Sequence, residues 1–203
     1  MVITENKKPR TLINIVGAPL LLLAIWQGGY LYFSLFTIVI LFSGIELCNL
    51  GKEHGANPSK LLLSCGLFFL AFTNFLDLVN GPVYVIIITC LISLFFEIFR
   101  NEQKALLNIS LINFGMIWLG LLLGSIINIR MLENCGFIVT IMMFLSVWIC
   151  DTFAFLVGSK IGKNKILPKV SPNKSWEGSL AGLLSSVIFV YILFYIDLFN
   201  GLF

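Results

Sequence analysis

The chain has 203 residues, 59% of them hydrophobic and 11% charged, with a net charge of +3. Soluble domains carry about 25% charged residues, so a soluble globular fold is excluded and a protein built for lipid remains. A bilayer admits only helices or closed barrels, and barrel strands show as short alternating segments. The apolar runs here are long and unbroken, so the expected fold is all-α, a polytopic membrane bundle of about seven transmembrane helices.

The N-terminal MVITENKKPR followed by an apolar run has the outline of a secretory leader. No small-residue cleavage pattern follows, so the first span is expected to be retained. Runs long enough to cross about 30 Å of hydrocarbon fall at 11–27, 30–49, 61–77, 82–99, 106–128, 135–158 and 180–200. The first holds Gly17 and Pro19 and is expected to be broken or tilted. There is no internal repeat or low-complexity tract, so residues 1–203 read as a single transmembrane domain.

Loop charges orient the spans. With the N-terminus in the cytoplasm, the inside segments carry Lys7, Lys8 and Arg10, then Lys52 and Lys60, then Arg100 and Lys104. The last of them, 159–179, carries Lys160, Lys163, Lys165, Lys169 and Lys174, leaving only Arg130 outside. That asymmetry is what the positive-inside rule expects. The expected location is the inner (plasma) membrane, multi-pass, with a cytoplasmic N-terminus.

Three carboxylates, Glu46, Glu97 and Asp151, fall in the last turns of spans that run from outside to inside. Glu46 and Glu97 read first as helix-end residues reaching headgroup water. Asp151 lies deeper, about two turns before the first lysine of its loop, where an ionisable residue points to function. Asp77 and Glu133 fall near outside loop ends and read as solvated. Five cysteines scattered singly, with no CxxC pair, argue against disulfides or a zinc site. With His54 as the only histidine, Ser-His-Asp chemistry has almost no material.

The chemistry concentrates in residues 150–182, CDTFAFLVGSKIGKNKILPKVSPNKSWEGSLAG. A divalent cation needs carboxylates, and phosphate oxygens need cations; Asp151 followed by a lysine-rich loop offers both. At helical spacing Asp151, Ala154, Phe155 and Gly158 share a face whose small residues admit a neighbouring helix or a ligand. Asn164 and Ser171 add uncharged polar groups, and Ser171-Pro172 biases the chain toward a turn. Trp176 suits the interfacial belt and Glu177 a helix N-terminus. Cytoplasmic loops are basic for topological reasons alone, so the lysines by themselves are weak evidence of a site.

The order of these residues resembles the core of the bacterial phosphatidate cytidylyltransferase (CDP-diacylglycerol synthase) family. Its members read approximately D-x-x-A-[YF]-x-x-G-x-x-[FI]-G-[KR], a short basic spacer, then S-P-x-K-[ST]-x-E-G. Here Asp151, Ala154, Phe155, Gly158, Gly162 and Lys163 fill the first part, and Ser171, Pro172, Lys174, Ser175, Glu177 and Gly178 the second. The resemblance implies transfer of cytidylyl from CTP to phosphatidic acid with Mg²⁺, releasing pyrophosphate in phospholipid biosynthesis, with membrane lipids and no nucleic acid as partners. It implies Asp151 at the metal, Lys163 and Lys174 on phosphates, and Ser171, Ser175, Glu177, Lys160 and Asn164 around the substrates, with 159–179 as the catalytic-type cytoplasmic loop.

The resemblance stops short of the family's C-terminal signature, which runs from Ser-x-x-Lys-Arg through His-Gly-Gly to Asp-Arg-x-Asp and whose aspartates are credited with the catalytic metals. Two sources stay open for that segment: a longer or split reading frame, or a second chain, whether in a homodimer or separate. Two other functions also stay open. CTP-dependent polyprenol or phytol-type kinases share a similar pattern and would phosphorylate a lipid alcohol. A non-catalytic membrane subunit would use its acids along a path across the bilayer.

Overall fold

A computed structural model describes residues 7–100, 104–168 and 170–195, with side chains from residue 16 onward. Seven helices follow one another among the described residues: α1 Lys7–Gln27, α2 Gly29–Glu53, α3 Lys60–Phe75, α4 Gly81–Arg100, α5 Ala105–Met131, α6 Gly136–Ile161 and α7 Trp176–Tyr195. Two short strands, β1 Lys165–Leu167 and β2 Ser171–Ser175, form an antiparallel hairpin between α6 and α7. The expected all-α membrane bundle is what the chain forms. Helices α2, α4, α5, α6 and α7 are long and apolar enough to cross a membrane, while α3 and the apolar Val16–Gln27 of α1 are shorter. At about 1.5 Å per residue, the 16 residues of α3 reach about 24 Å, less than the hydrocarbon thickness. The expected last span overlaps α7, and its end beyond residue 195 lies outside the described residues, as does Lys169.

The chain divides into two compact units, residues 1–132 and 133–203. In the first, α3 packs on α2, α4 and α5. Its Leu63, Leu67 and Leu70 are buried, as are Ile40 of α2 and Ile112 and Met116 of α5. Ser59 starts α3 as its N-cap, its hydroxyl accepting from the Leu62 N–H at 3.3 Å, a bond that satisfies one orphan donor of the first turn. Pro19 lies inside α1, which continues through it. The turn from α1 to α2 needs Gly28, at φ 64, where a side chain would run into the Arg130 guanidinium. Arg130 donates from Nε to the Ile25 carbonyl at 2.8 Å, so the basic residue that breaks the charge asymmetry fastens this turn.

Helix α5 widens into a π segment at Met116–Leu123. Gly115 and Gly120 there bring the backbone onto the leucines of α3: a methyl on Gly120 would lie 3.0 Å from Leu70 and 3.1 Å from Leu67. Leucine-rich sequence alone gives no sign of such a wide turn.

The second unit consists of α6, the hairpin and α7. Helix α6 is almost continuously apolar, and α7 packs along it. The hairpin departs from the expected loop with a turn at Ser171-Pro172: both residues are in β2. Proline lacks the N–H a central strand needs but is tolerated on an open edge, and a two-stranded sheet offers one to each strand.

Candidate active site

Small residues bring α6 and α7 together. A methyl on Gly178 would lie 2.7 Å from the Ala154 carbonyl oxygen and 2.9 Å from the Gly158 Cα. One on Gly182 would lie 2.7 Å from the Cys150 carbonyl oxygen and 3.0 Å from the Ala154 Cβ. This is close approach of the small-xxx-small kind, driven by van der Waals packing where lipid gives no hydrophobic preference. Its α6 stripe is Cys150, Ala154 and Gly158. Gly162 is the C-cap, with ψ 95, and its missing side chain leaves room for Ser175.

The hairpin is fastened at its base. The Asn164 backbone N–H donates to both carboxylate oxygens of Glu177, at 3.1 and 3.3 Å, and Asn164 Nδ2 donates to Oε1 at 2.8 Å. The Trp176 N–H donates to the Asn164 carbonyl at 2.9 Å. Ser175, buried, accepts from the Gly178 N–H through Oγ at 3.3 Å. The start of α7 is thus capped by its own side chains, and its Gly178 donor is not held open for an anion.

Between these elements lies a cavity of about 500 Å³ lined on the helix side by Cys150, Asp151, Ala154 and Phe155. Ser171, Asn173, Lys174 and Ser175 of β2, with Gly178 and Ser179 of α7, complete it. Asp151 is exposed, lies ten residues before the end of α6, and has no hydrogen-bond or ion-pair partner among the described residues. Lys174 is likewise exposed and unpaired among them. Four of the residues expected at the site, Asp151, Ser171, Lys174 and Ser175, therefore line one cavity. Lys160, Lys163, Asn164 and Glu177 do not line it: Asn164 and Glu177 hold each other, and the two lysines are exposed elsewhere.

Three wall residues escaped the sequence reading. Cys150 is at i−4 from Ala154 on the stripe, and Ser179 is one helical turn beyond Ser175. Asn173 shares the two-residue period of Ser171 along β2, a signal hidden until the segment is known to be a strand. A carboxylate and an ammonium, each without a partner among the described residues and both lining one cavity, suit a ligand that carries both anionic oxygens and a bound cation.

The other two intramembrane acids belong to the first unit. Glu97 does not reach water as a helix-end residue; it is buried in a closed polar ring. Arg100 Nη1 donates to Glu97 Oε1 at 3.3 Å and to the Asn57 carbonyl at 2.6 Å. The Asn57 N–H donates to Asn108 Oδ1 at 2.6 Å, and Asn108 Nδ2 donates back to Glu97 Oε2 at 3.0 Å. Glu46 is exposed along a shallow groove of about 220 Å³ with Ser43, Leu47, Leu50, Trp118 and Leu119. Asp77 accepts from Asn128 Nδ2 at 2.8 Å on the surface.

The second unit is thus a pair of apolar helices with a cavity where a basic segment meets the helix that carries Asp151. The family model described as "Cytidylyltransferase family" matches residues 8–200. The chain belongs to this family and is a nucleotidyltransferase. It is 27% identical over 206 residues to the phosphatidate cytidylyltransferase of Staphylococcus aureus (strain COL), covering 95% of this chain and 74% of that protein. The Thermotoga maritima phosphatidate cytidylyltransferase is 24% identical over 190 residues, covering 93% of this chain and 68% of its own length. A shorter match, 40% identical over 57 residues, links the chain to the Haemophilus influenzae phosphatidate cytidylyltransferase, covering 28% of this chain and 20% of that protein.

Proposed function

We propose that the chain acts in cytidylyl transfer from CTP to phosphatidic acid, giving CDP-diacylglycerol and pyrophosphate at the cytoplasmic face of the plasma membrane. The observation that carries this reading is the shared cavity of Asp151 and Lys174, groups of opposite sign with no partner among the described residues, which Ser171 and Asn173 also line. Both reactants are anions, so the attack of the phosphatidate oxygen on the α-phosphorus of CTP requires cationic groups to offset their repulsion. Lys174 supplies one such charge. Ser171 and Asn173 offer neutral hydrogen bonds that fix the orientation of the phosphates or the base without adding charge.

No cluster of three or more His, Cys, Asp or Glu residues able to hold a metal occurs among the described residues. Mg²⁺ commonly binds through one or two carboxylates together with substrate phosphates and water, and Asp151, a single free carboxylate beside the phosphate-binding lysine, fits that donor set. Asp151 would hold the ion, which when bound neutralises charge on the departing pyrophosphate. The position of the twelve basic residues supports a cytoplasmic N-terminus and a cytoplasmic hairpin.

The reading is tested by supplying the purified, reconstituted chain with α-labelled CTP and either phosphatidate or a polyprenol. A labelled CDP-lipid from phosphatidate is expected; a prenyl phosphate with CDP release, or no CTP binding at all, overturns it. Lys174→Ala should weaken CTP binding about tenfold or more, the worth of one charge-assisted hydrogen bond, and an unchanged affinity removes Lys174 from the site.

A further inference from the structure

Three lysines of the basic segment, Lys160, Lys163 and Lys165, do not line the cavity, are exposed, and have no ion pair among the described residues. The hairpin beside them presents apolar side chains outward at its turn end. Leu167 is 56% and Val170 80% exposed, held in a turn by the Val170 N–H donating to the Leu167 carbonyl at 3.1 Å. At its base, Ile161 and Trp176 are each 61% exposed. Apolar tips flanked by unpaired cations suit a membrane–water interface, where the tip lies among acyl chains and the ammonium groups reach lipid phosphates.

What meets this surface follows from continuity with the spans. The hairpin joins α6 and α7, both long and apolar enough to cross a membrane, so its two ends emerge at one face of the bilayer. The Asn164–Glu177 bonds and the Trp176–Asn164 bond fix its base to the first turn of α7. A hairpin so fastened stays at the level where the helices leave the lipid. We propose that it is an interfacial foot: Leu167 and Val170 enter the surface of the bilayer while Lys160, Lys163 and Lys165 engage anionic lipid headgroups. The foot rests on the membrane placement of α6 and α7, not on the reaction proposed above. Its consequence is a cavity held at headgroup depth, with anionic lipid gathered at its edge.

The test uses the full chain in vesicles of phosphatidylcholine, with or without phosphatidylglycerol, a lipid that is anionic but is not phosphatidate. A nitroxide is placed at Val170→Cys in a variant whose five native cysteines are replaced, with Glu53→Cys as the water-exposed reference. Hydrogen exchange of residues 163–167 in the unmodified chain is read in parallel, so the result does not depend on that variant folding. The foot requires Val170 to favour oxygen over a nickel chelate and exchange to slow when phosphatidylglycerol is present. Each of Lys160→Gln, Lys163→Gln and Lys165→Gln should lower the protected population about fivefold, the worth of one surface charge at an anionic bilayer. A probe as open to nickel as at Glu53, or protection indifferent to phosphatidylglycerol, overturns the proposal. So does protection that appears in phosphatidylcholine only when CTP is added, which would assign the lysines to free nucleotide.

Discussion

Gly178→Ala is the sharpest probe of how packing makes the site. The added methyl would sit 2.7 Å from the Ala154 carbonyl oxygen and 2.9 Å from the Gly158 Cα, both backbone atoms of α6 that no rotamer change can move. Restoring ordinary contact near 3.4 Å requires α6 and α7 to separate by about 0.5–0.7 Å, and a gap of that size forfeits roughly a quarter of the dispersion energy of each facing contact. Overpacking of this kind costs about 1–3 kcal/mol, against about 0.5–1 kcal/mol gained by replacing glycine within a helix. Gly17→Ala is the control, since a methyl there meets nothing within 4 Å and only the gain applies. Thermal unfolding in detergent should therefore place Gly178→Ala several degrees below Gly17→Ala, at about 2–4 °C per kcal/mol for a chain of this size. CTP binding should fall with it, because the separating helices carry Asp151 and Ser179, on opposite walls of one cavity. Gly158→Ala, whose methyl would be 3.2 Å from the Ser175 hydroxyl and 3.4 Å from the Gly178 Cα, should be milder. A Gly178→Ala protein that melts with the Gly17→Ala control and binds CTP normally would show that the close crossing does not build the site.

Cys150 lines the cavity beside Asp151, so maleimide labelling of this thiol, assigned by its loss in Cys150→Ala, should be slowed by CTP while labelling of exposed Cys65 is not; equal rates with and without CTP place the nucleotide elsewhere. In the first unit, Asn108→Leu leaves Glu97 Oε2 and the Asn57 N–H without their Asn108 partner, while Arg100 stays on Oε1, and should cost about 2–3 kcal/mol; Glu97→Gln keeps an amide in the ring and should cost about 1 kcal/mol. Equal losses in thermal unfolding of the two variants would show that the ring does not compensate the charge.

The spans were legible because lipid leaves a sequence little freedom: every crossing segment must be long, helical and apolar, and its boundaries follow from where charge returns. The site was legible only as a list of residues. The family resemblance pointed to Asp151, Ser171, Lys174 and Ser175, and the structure lines one cavity with all four. The same resemblance placed Asn164 and Glu177 around the substrates, but these two close the base of the hairpin on each other. Nothing local distinguishes the two groups, because the separation depends on a strand pairing decided across the Lys165–Ser175 register. Glu97 was misread for a related reason: its partners Asn57 and Asn108 are distant in sequence, and a carboxylate near a helix end looks solvated until they are seen.

Capping and packing explain why the motif combines such different residue types. Glycine and alanine at 154, 158, 178 and 182 set the distance between α6 and α7. Glu177 and Ser175 consume the polar groups that would otherwise stay open at the start of α7, and Asn164 binds the hairpin to that start. Once those needs are met, Asp151 and Lys174 are left exposed along one cavity and unpaired among the described residues. Opposite charges kept apart in this way are a poor arrangement for stability, since pairing each with the other or with a neighbour would lower the energy of the empty protein. Under the function proposed above, the partner that both would receive is a metal-bound polyphosphate.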